Sequence, residues 1–455
     1  EITTRLVGSE MCIRDRMNTT ERIRKQLQGA GIEHYRINES RKQSAELFYI
    51  KKDLDIVRST DVADCTVTVY RDFESGGVKM RGSAAAMIYP DMTESEIGAA
   101  LRKAYDAALY VKNKFYELPD AEKRAGCGAA AEAYDLISEA FQMADALFTA
   151  EEGAPGSFLN SAEIFAERRA SRVLCSTGID ISYVKYSFHG EFVTQCIADG
   201  QDIELHTSFS YRAPEYGQLA EKARAALKNA RDRAAACAPP PAGRYAVILS
   251  GAQVGELLRY YAARTQGGMI YAGYSSFREG CFLQGDEADV KGEKLELLLK
   301  ATEPCSAEGI LMEDKVLSER GVLKTIHCGA RYAYYLGIPA TGEYSALECR
   351  NGSMSLEELK AGTGLPGGKV LSVAAFSDFQ MDALSGQFCG EIRLAYLYET
   401  SEDGTSRVRF FTGGSISGNI LEAQKTLAFS RERYKDHTYE GPYAVRLDGV
   451  SVAGV

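Results

Sequence analysis

The chain has 455 residues, which is too long for one ordinary hydrophobic core and predicts two domains. Hydrophobic residues make up 45% of the sequence and charged residues 25%, as in a globular protein. With 53 Lys plus Arg against 63 Asp plus Glu, the net charge of -10 argues against a protein that binds nucleic acid or an anionic membrane.

Cysteine usage and hydropathy indicate a cytoplasmic protein. The 11 cysteines are scattered and form no C-x-x-C pair, so they match neither a disulfide framework nor a structural zinc pattern. We interpret them as small core residues in a reducing compartment. No secretory signal is visible, and no apolar run approaches the roughly 18 residues that a membrane helix needs.

The first 16 residues differ in character from the rest. They contain LVGSEMCIRDR, which resembles a translated sequencing adapter, and Met17 follows as a natural start. We therefore expect residues 1–16 to be a non-native extension.

Residues 17–240 predict an N-terminal α/β domain made of two rounds of strands followed by a helix. The first round opens with a helix over residues 20–29 and closes with a helix that Thr93 and Glu96 begin as a capping box. The predicted strands lie at 45–50, 54–59, 65–70, 78–89, 163–168, 172–176, 179–188 and 203–211. Further helices are predicted at 133–148 and 217–236.

The sequence APPPAG, residues 238–243, marks the predicted domain border, because three consecutive prolines can neither continue a helix nor join a central strand. Residues 241–455 then predict a mainly β domain. Its predicted strands lie at 295–300, 310–316, 322–326, 369–376, 391–398 and 408–412. Short helices are predicted at 328–336 and after Ser355, a hairpin turn at Glu402-Asp403-Gly404, and a Gly-rich loop opening a helix at 412–424.

The stretch VILSGAQVGELLRYYAAR, residues 247–264, predicts a strand, a Ser-Gly turn and a helix, where a metalloprotease could carry a His-Glu zinc motif. Here the candidate positions hold Arg259, Tyr260 and Arg264. Catalytic zinc needs about three protein ligands. No two histidines lie within a helical turn of each other, and His327 beside Cys328 is the nearest approach to a ligand pair. We therefore predict neither a metal site nor a cofactor.

Other catalytic patterns are weaker still. The nucleophile elbow G-x-S-x-G does not occur, and no local signature supports a cysteine protease. The Gly-rich loop with Gly413, Gly414, Ser415 and Gly418 could contact a carboxylate or peptide backbone through its N–H groups, or could be a structural turn. Arg259 and Arg264 could bind a substrate carboxylate or could lie on a solvated helix face.

Several stretches in order resemble the TldD/PmbA family of bacterial and archaeal peptidases. The C-terminal ones are VILSGAQVGELLRYYAARTQGG, YSSF, ATGEYSALECRNGSMSLEELKAGTGL, FFTGGSISGNILEA and GPYAVRLDGVSVAG. The N-terminal half matches more loosely, through IYPDMTESEIGAALRKAYDAA. The resemblance implies an α+β fold with two domains, the second a β-rich barrel or sandwich, and a dimer that encloses a cavity.

The resemblance also shows where this sequence departs from the zinc-bearing members. The TldD type carries H-E-x-x-x-H on the helix after this strand and a third ligand near the C-terminus. Alignment on Leu257-Leu258 puts Arg259 at the first His, Tyr260 at the Glu and Arg264 at the second His. The last cysteine is Cys389, so none stands near the C-terminus. The chain is thus similar to the zinc-less TldE/PmbA type, which pairs with a TldD subunit to process or degrade unfolded and modified peptides.

These observations predict a non-catalytic partner subunit of a TldD-type metallopeptidase that helps to hold an extended peptide, with Arg259, Tyr260 and Arg264 as substrate-binding candidates. One alternative is a homodimeric peptide-binding or scaffold protein that needs no protease. Another is an active peptidase that uses residues outside the known motif.

Overall fold

The computed structural model describes residues 9–120, 133–198, 200–236, 238–362, 369–400 and 406–454. The predicted α+β class is confirmed: a curled sheet lies in the N-terminal region and a five-stranded barrel in the C-terminal region. Within these ranges, no helix combines the length and the apolar character needed to cross a membrane. The predicted hairpin turn at Glu402-Asp403-Gly404 lies outside the described residues.

In the N-terminal half, one arrangement occurs twice: a helix, three strands and a second helix. The first copy consists of α1 (Ser9–Gly29), β1 (His34–Ile50), β2 (Asp53–Ser75), β3 (Val78–Ile88) and α2 (Glu94–Ala108). The second copy consists of α3 (Leu136–Glu151), β4 (Phe158–Cys175), β5 (Asp180–Ala198), β6 (Gln201–Tyr211) and α4 (Tyr216–Ala234). The helices predicted at 20–29 and 133–148 open the two copies, so the predicted repeat of strands followed by a helix extends to the helix before them. The first helix begins at Ser9, earlier than the predicted residue 20.

The six strands form one antiparallel sheet in the order β3-β2-β1-β4-β5-β6, so the first strands of the two copies pair at its centre. The strands are longer than predicted. β2 spans both the 54–59 and the 65–70 segments, and β4 joins 163–168 to 172–176. We expected the polar residues between these segments to interrupt the strands. They stay in the sheet because each has a partner on the neighbouring strand: Thr60 contacts Ser44, and Asp61 pairs with Arg41.

The helices cover the sheet with their apolar faces. Ile97 and Leu101 of α2 are fully buried and pack in one core with Val67 and Val69 of β2. At the start of α2, the predicted capping box is present, since Thr93 and Glu96 exchange side-chain-to-backbone hydrogen bonds. A second core joins α3 and α4 to β4, β5 and β6.

In chain order, the C-terminal elements are β7 (Gly243–Ser250), α5 (Ala252–Arg264), α6 (Gly267–Tyr271), β8 (Leu297–Lys300), β9 (Lys315–Glu319), β10 (Val322–Leu323), α7 (Ala330–Leu336), β11 (Ala346–Cys349), α8 (Leu356–Ala361), β12 (Lys369–Met381), β13 (Gln387–Thr400), β14 (Ser406–Phe411), β15 (Ser415–Asn419), α9 (Ile420–Ala423), β16 (Ala428–Phe429), β17 (Arg433–Lys435), β18 (Tyr439–Pro442) and β19 (Ala444–Ala453).

Five of these strands close into the barrel. The order β12-β7-β19-β15-β13 returns to its start because β13 also pairs with β12. β14 extends the barrel beside β13, and β16 pairs with β19. A second sheet, in the order β10-β9-β8-β11-β18-β17, shares one large apolar core with the barrel and with α5.

Two sequence predictions in this half are wrong in part. The predicted strand at 310–316 is formed only from Lys315 onward, in β9. The predicted Gly-rich loop is also largely a strand, because Ser415 and Gly418 lie in β15 and pair with β13 on one side of the barrel. The glycine at 418 is needed for packing, since a Cβ there would overlap the ring of Phe388.

Candidate functional site

The helix α5 is attached to the barrel through the turn that precedes it and through its buried apolar face. It follows β7 through Gly251, whose φ of 64° is natural for glycine and whose N–H donates to the Tyr443 carbonyl at 2.7 Å. Leu257 and Leu258, which we expected to pack inward, are fully buried. Because the apolar stripe faces the core, the opposite face of the helix, which includes Arg259, lies at the surface of the C-terminal half.

Arg259 lies half exposed at the surface of α5 and has two polar partners. Its Nη2 donates to Thr438 Oγ1 at 3.1 Å, and its Nη1 lies 3.1 Å from Glu256 Oε2. Thr438 in turn donates to Asp436 Oδ1 at 3.0 Å, and that carboxylate oxygen also accepts the Tyr439 N–H at 2.8 Å. The guanidinium is therefore held against a turn that carboxylate hydrogen bonds make rigid.

Tyr260 and Arg264 are placed differently. Tyr260 is buried, and burial raises the pKa of its phenol, so this side chain is neutral at physiological pH. The Arg264 guanidinium lies 6.0 Å from the Tyr260 ring centre and its Nη1 is 3.4 Å from the Leu384 carbonyl. Arg264 therefore lies between the Tyr260 ring and the loop that connects β12 to β13.

A cavity of about 390 Å³ opens beside α5, and Arg259 and Tyr260 are among its walls whereas Arg264 is not. His327, Tyr344 and Met381 also line it. A second cavity of about 260 Å³ adjoins it and is lined by residues of both halves of the chain, namely Arg212, Glu215, Lys300, Asp436, His437 and Thr438. Ala346 and Leu347 line both cavities. Together they form a cleft, hereafter the α5 cleft, with the Arg259–Thr438 contact at its middle.

The second cavity lies where the two halves meet. The His437 N–H donates to the Ser210 carbonyl at 3.0 Å, and Arg212 donates to the His437 carbonyl. Asp436, Thr438 and His437 were not predicted as site residues. The sequence signal that could have identified them is the Asp at the start of Asp-His-Thr-Tyr, 436–439, because an Asp side chain favours a turn by accepting the N–H two residues on, as Asp436 does from Thr438 at 2.7 Å.

His327 forms one wall of the cleft and is neutral. It is almost fully buried, and burial lowers the pKa of the imidazole, while its hydrogen bond to the Ala262 carbonyl at 2.8 Å opposes this shift. The Nε2 therefore carries the proton and donates to Ala262. Its Nδ1 has no hydrogen-bond partner among the described residues.

Arg259, Tyr260 and Arg264, which the resemblance aligns with a zinc motif, do not fit zinc. A guanidinium keeps its proton and offers no lone pair to a metal, and the buried Tyr260 phenol stays protonated. In the part of the chain that the structure describes, no group of three or more His, Cys, Asp and Glu is placed to hold a metal ion. The cleft can thus offer hydrogen bonds and charges to a bound chain, but not the coordination shell of a TldD-type zinc.

The Gly-rich residues are not part of this cleft. Gly413 and Gly414 form the turn before β15, and the Gly413 N–H donates to the Ile392 carbonyl at 3.0 Å. Ser415 and Gly418 lie in the barrel wall and pair with Glu391 and Phe388. Their backbone is used by the barrel, and none of the four lines either cavity.

Comparison with solved structures places this architecture in a known class. TldE from Thermococcus kodakarensis matches with a TM-score of 0.74 at 14% identity, covering 97% of this chain and 100% of that one. A candidate DNA gyrase modulator from Thermotoga maritima matches with a TM-score of 0.71 at 16% identity, covering 96% and 100%. A second such protein, from Bacteroides thetaiotaomicron, has a TM-score of 0.71 at 16% identity, covering 96% and 99%. At these identities the likeness shows the fold. No curated protein matches the chain.

The fold is therefore that of the TldE and gyrase-modulator structures. Residues 242–454 match the model of the PmbA/TldA metallopeptidase C-terminal domain. This C-terminal region belongs to the TldD/PmbA family, as its sequence resemblance indicated.

Proposed function

We propose that this protein is the zinc-less subunit of a TldD/PmbA-type peptide-processing assembly and that it holds an extended peptide for a zinc-bearing partner. The observation that carries the proposal is which residues α5 holds at the positions aligned with the zinc motif. The helix and its cleft are kept, while the metal positions hold a paired arginine, a buried phenol and a second arginine. In this proposal the two domains are residues 17–240 and 241–455, and the cleft lies at their junction.

The α5 cleft supplies contacts suited to a peptide. Arg259, Arg212 and Lys300 offer donors to carboxylate or backbone carbonyl groups, and Glu215 and Asp436 offer acceptors. Both signs of charge are present, so we expect main-chain recognition with little preference for net peptide charge.

Cytoplasmic location is part of the proposal. It is supported by the described cysteines, which no disulfide joins in the described ranges.

Peptide binding by purified protein tests this role. We expect the chain to bind a fluorescein-labelled unstructured peptide in an anisotropy titration without cleaving it. Replacing Arg259 with alanine removes a charge-assisted donor worth about 1.5–3 kcal/mol and should weaken binding about 10- to 100-fold. Arg350→Ala is the matched control, because Arg350 is exposed and paired with Glu296 outside the α5 cleft. Equal affinity of the Arg259→Ala and wild-type proteins would contradict the assignment of Arg259.

The same experiment separates the alternatives. Cleavage of the peptide that persists in the presence of a metal chelator would favour a peptidase that uses residues outside the motif. Purification from the native host addresses the partner. Recovery of a chain with H-E-x-x-x-H supports the proposal, whereas recovery of a homodimer alone supports a self-sufficient peptide-binding or scaffold protein.

A further inference from the structure

The two cavities of the α5 cleft differ in the chemistry of their walls. The second cavity is lined by charged side chains from both halves of the chain, among them Arg212, Lys300 and Asp436. The cavity of about 390 Å³ beside α5, hereafter the apolar cavity, is different. Its apolar lining residues are Ala262, Ala263, Ala346, Leu347, Met381 and Ala383. The two ends of the cleft are therefore suited to different parts of a bound peptide.

The remaining walls of the apolar cavity offer no free charge. Among the described residues that line it, only Glu256 and Arg259 are charged at neutral pH, and they pair with each other at 3.1 Å. The neutral His327 and Tyr344 supply aromatic walls, with their ring centres 5.8 Å apart in an edge-to-face arrangement. An ionised side chain inside would lose hydration and meet only charges that are already paired.

The room in the apolar cavity comes from small residues on three elements. Ala262 and Ala263 lie side by side on α5, Ala346 begins β11, and Ala383 lies in the loop between β12 and β13. Met381 ends β12, and a methionine side chain adapts its shape to what it contacts. A volume of about 390 Å³ is within the roughly 300–1,000 Å³ of sites that enclose a small ligand, so one leucine or phenylalanine side chain fits.

We propose that the apolar cavity receives one large apolar side chain, leucine, methionine or phenylalanine, of the extended peptide that the α5 cleft holds. The main chain of the peptide then crosses the Arg259–Thr438 contact toward the charged second cavity. Ala346 and Leu347 line both cavities and give the peptide a continuous floor. The inference rests on the proposed peptide-holding function and adds the class of peptide.

This site distinguishes unfolded from folded chains. Folded proteins bury most of their large apolar side chains, whereas an unfolded chain exposes them. A cavity that takes such a side chain from an extended backbone therefore selects an unfolded segment, with a preference for one residue at one position and not for net charge.

A competition titration tests the proposal. A fluorescein-labelled peptide with one phenylalanine in a glycine-serine host is displaced by unlabelled peptides that carry glycine, alanine, leucine, phenylalanine or aspartate at that position. We expect leucine and phenylalanine to bind roughly 10- to 100-fold more tightly than glycine, because the cavity buries the side chain. Alanine should lie between them, and aspartate should bind no more tightly than glycine.

Variants that fill the cavity give the second readout. Ala263→Leu and Ala383→Leu act from different elements, and each should reduce the preference for phenylalanine over glycine to less than about threefold without weakening the glycine peptide. Arg259→Ala removes a main-chain contact and should weaken both peptides by the same factor. Ala252→Leu is the matched control, because Ala252 is an exposed residue of α5 that lines neither cavity. Circular dichroism checks that each variant is folded.

The outcomes separate this inference from the function on which it rests. Equal affinity of the wild-type chain for the glycine and phenylalanine peptides would overturn the apolar side-chain site and leave peptide holding intact. Full preference for phenylalanine in a folded Ala263→Leu or Ala383→Leu variant would also overturn the site. Failure of every peptide to bind would overturn peptide holding, and this inference with it.

Discussion

Replacing Tyr439 with alanine is expected to lower the free energy of unfolding by about 3–5 kcal/mol and to disrupt the α5 cleft. Tyr439 is fully buried between the second sheet and α5, and its hydroxyl donates to the Pro442 carbonyl at 3.2 Å. The helix backbone rests directly on it, because a Cβ at Gly255 would lie 2.6 Å from Tyr439 Cβ. Truncation would leave a large cavity beneath the helix that carries Arg259.

Urea unfolding followed by circular dichroism measures this loss, and Tyr110→Ala is the matched control. Tyr110 is 83% exposed, so its truncation should change the unfolding free energy by no more than about 0.5 kcal/mol. Tyr439→Phe keeps the ring and should cost only about 1 kcal/mol for the hydrogen bond. An equal midpoint for Tyr439→Ala and wild type would show that α5 is held by other contacts.

Replacing Asp72 with asparagine should cost about 3 kcal/mol of stability. The Arg81 side chain is almost fully buried and is bound by Asp72 through Nε to Oδ1 at 2.6 Å and Nη2 to Oδ2 at 2.8 Å. Its Nη1 donates to the Tyr116 carbonyl at 2.7 Å, which ties the segment after α2 to the sheet. Removing the carboxylate leaves a buried cation without its counter-charge. Because Asp72 is partly exposed, we expect a cost at the lower end of the range for breaking a buried ion pair.

The same pair predicts a pH dependence. Burial raises the pKa of Asp72, but the hydrogen bonds and charge of Arg81 outweigh it and lower the pKa below its ordinary value. A carboxyl whose folded pKa is depressed contributes stability that is fully present above the unfolded pKa, about 3.9, and is lost as the pH falls through the folded pKa. The stability gap between wild type and Asp72→Asn should therefore be constant near neutrality and narrow in acid.

Asp106→Asn is the control for this prediction. Asp106 pairs with Arg71 at 3.3 Å but is largely exposed, so its loss should cost less than about 1 kcal/mol. A stability gap for Asp72→Asn that did not narrow in acid would contradict the role assigned to its carboxylate.

Local signals in the sequence were reliable where the structure is itself local. The capping boxes at Thr93 and Ser355 depend on residues three positions apart and are both present. The residues that the resemblance aligns with the zinc motif could likewise be identified from the sequence, because these positions lie within one helix, α5. The breaks predicted within β2 and β4 failed because cross-strand partners, such as Arg41 for Asp61, keep polar residues in the sheet.

The composition of the cleft could not be predicted in this way. Arg259 finds Thr438, a partner 179 positions away in the chain, and the second cavity needs Arg212 from the other half. The structural role of the glycines was similarly ambiguous in the sequence. The Gly-rich pattern before α9 predicted a loop, whereas Gly418 is required by the ring of Phe388 inside a closed barrel. Only the closed barrel brings these residues together.

Our central proposal is that α5 has the position of the TldD zinc helix and holds no zinc. The most direct test is elemental analysis of the purified chain after incubation with excess zinc and desalting, with Arg259→Ala measured in parallel to define adventitious binding. We predict only trace zinc, the same in both proteins. About one zinc per wild-type chain that survives desalting, together with its loss in the variant, would contradict the claim.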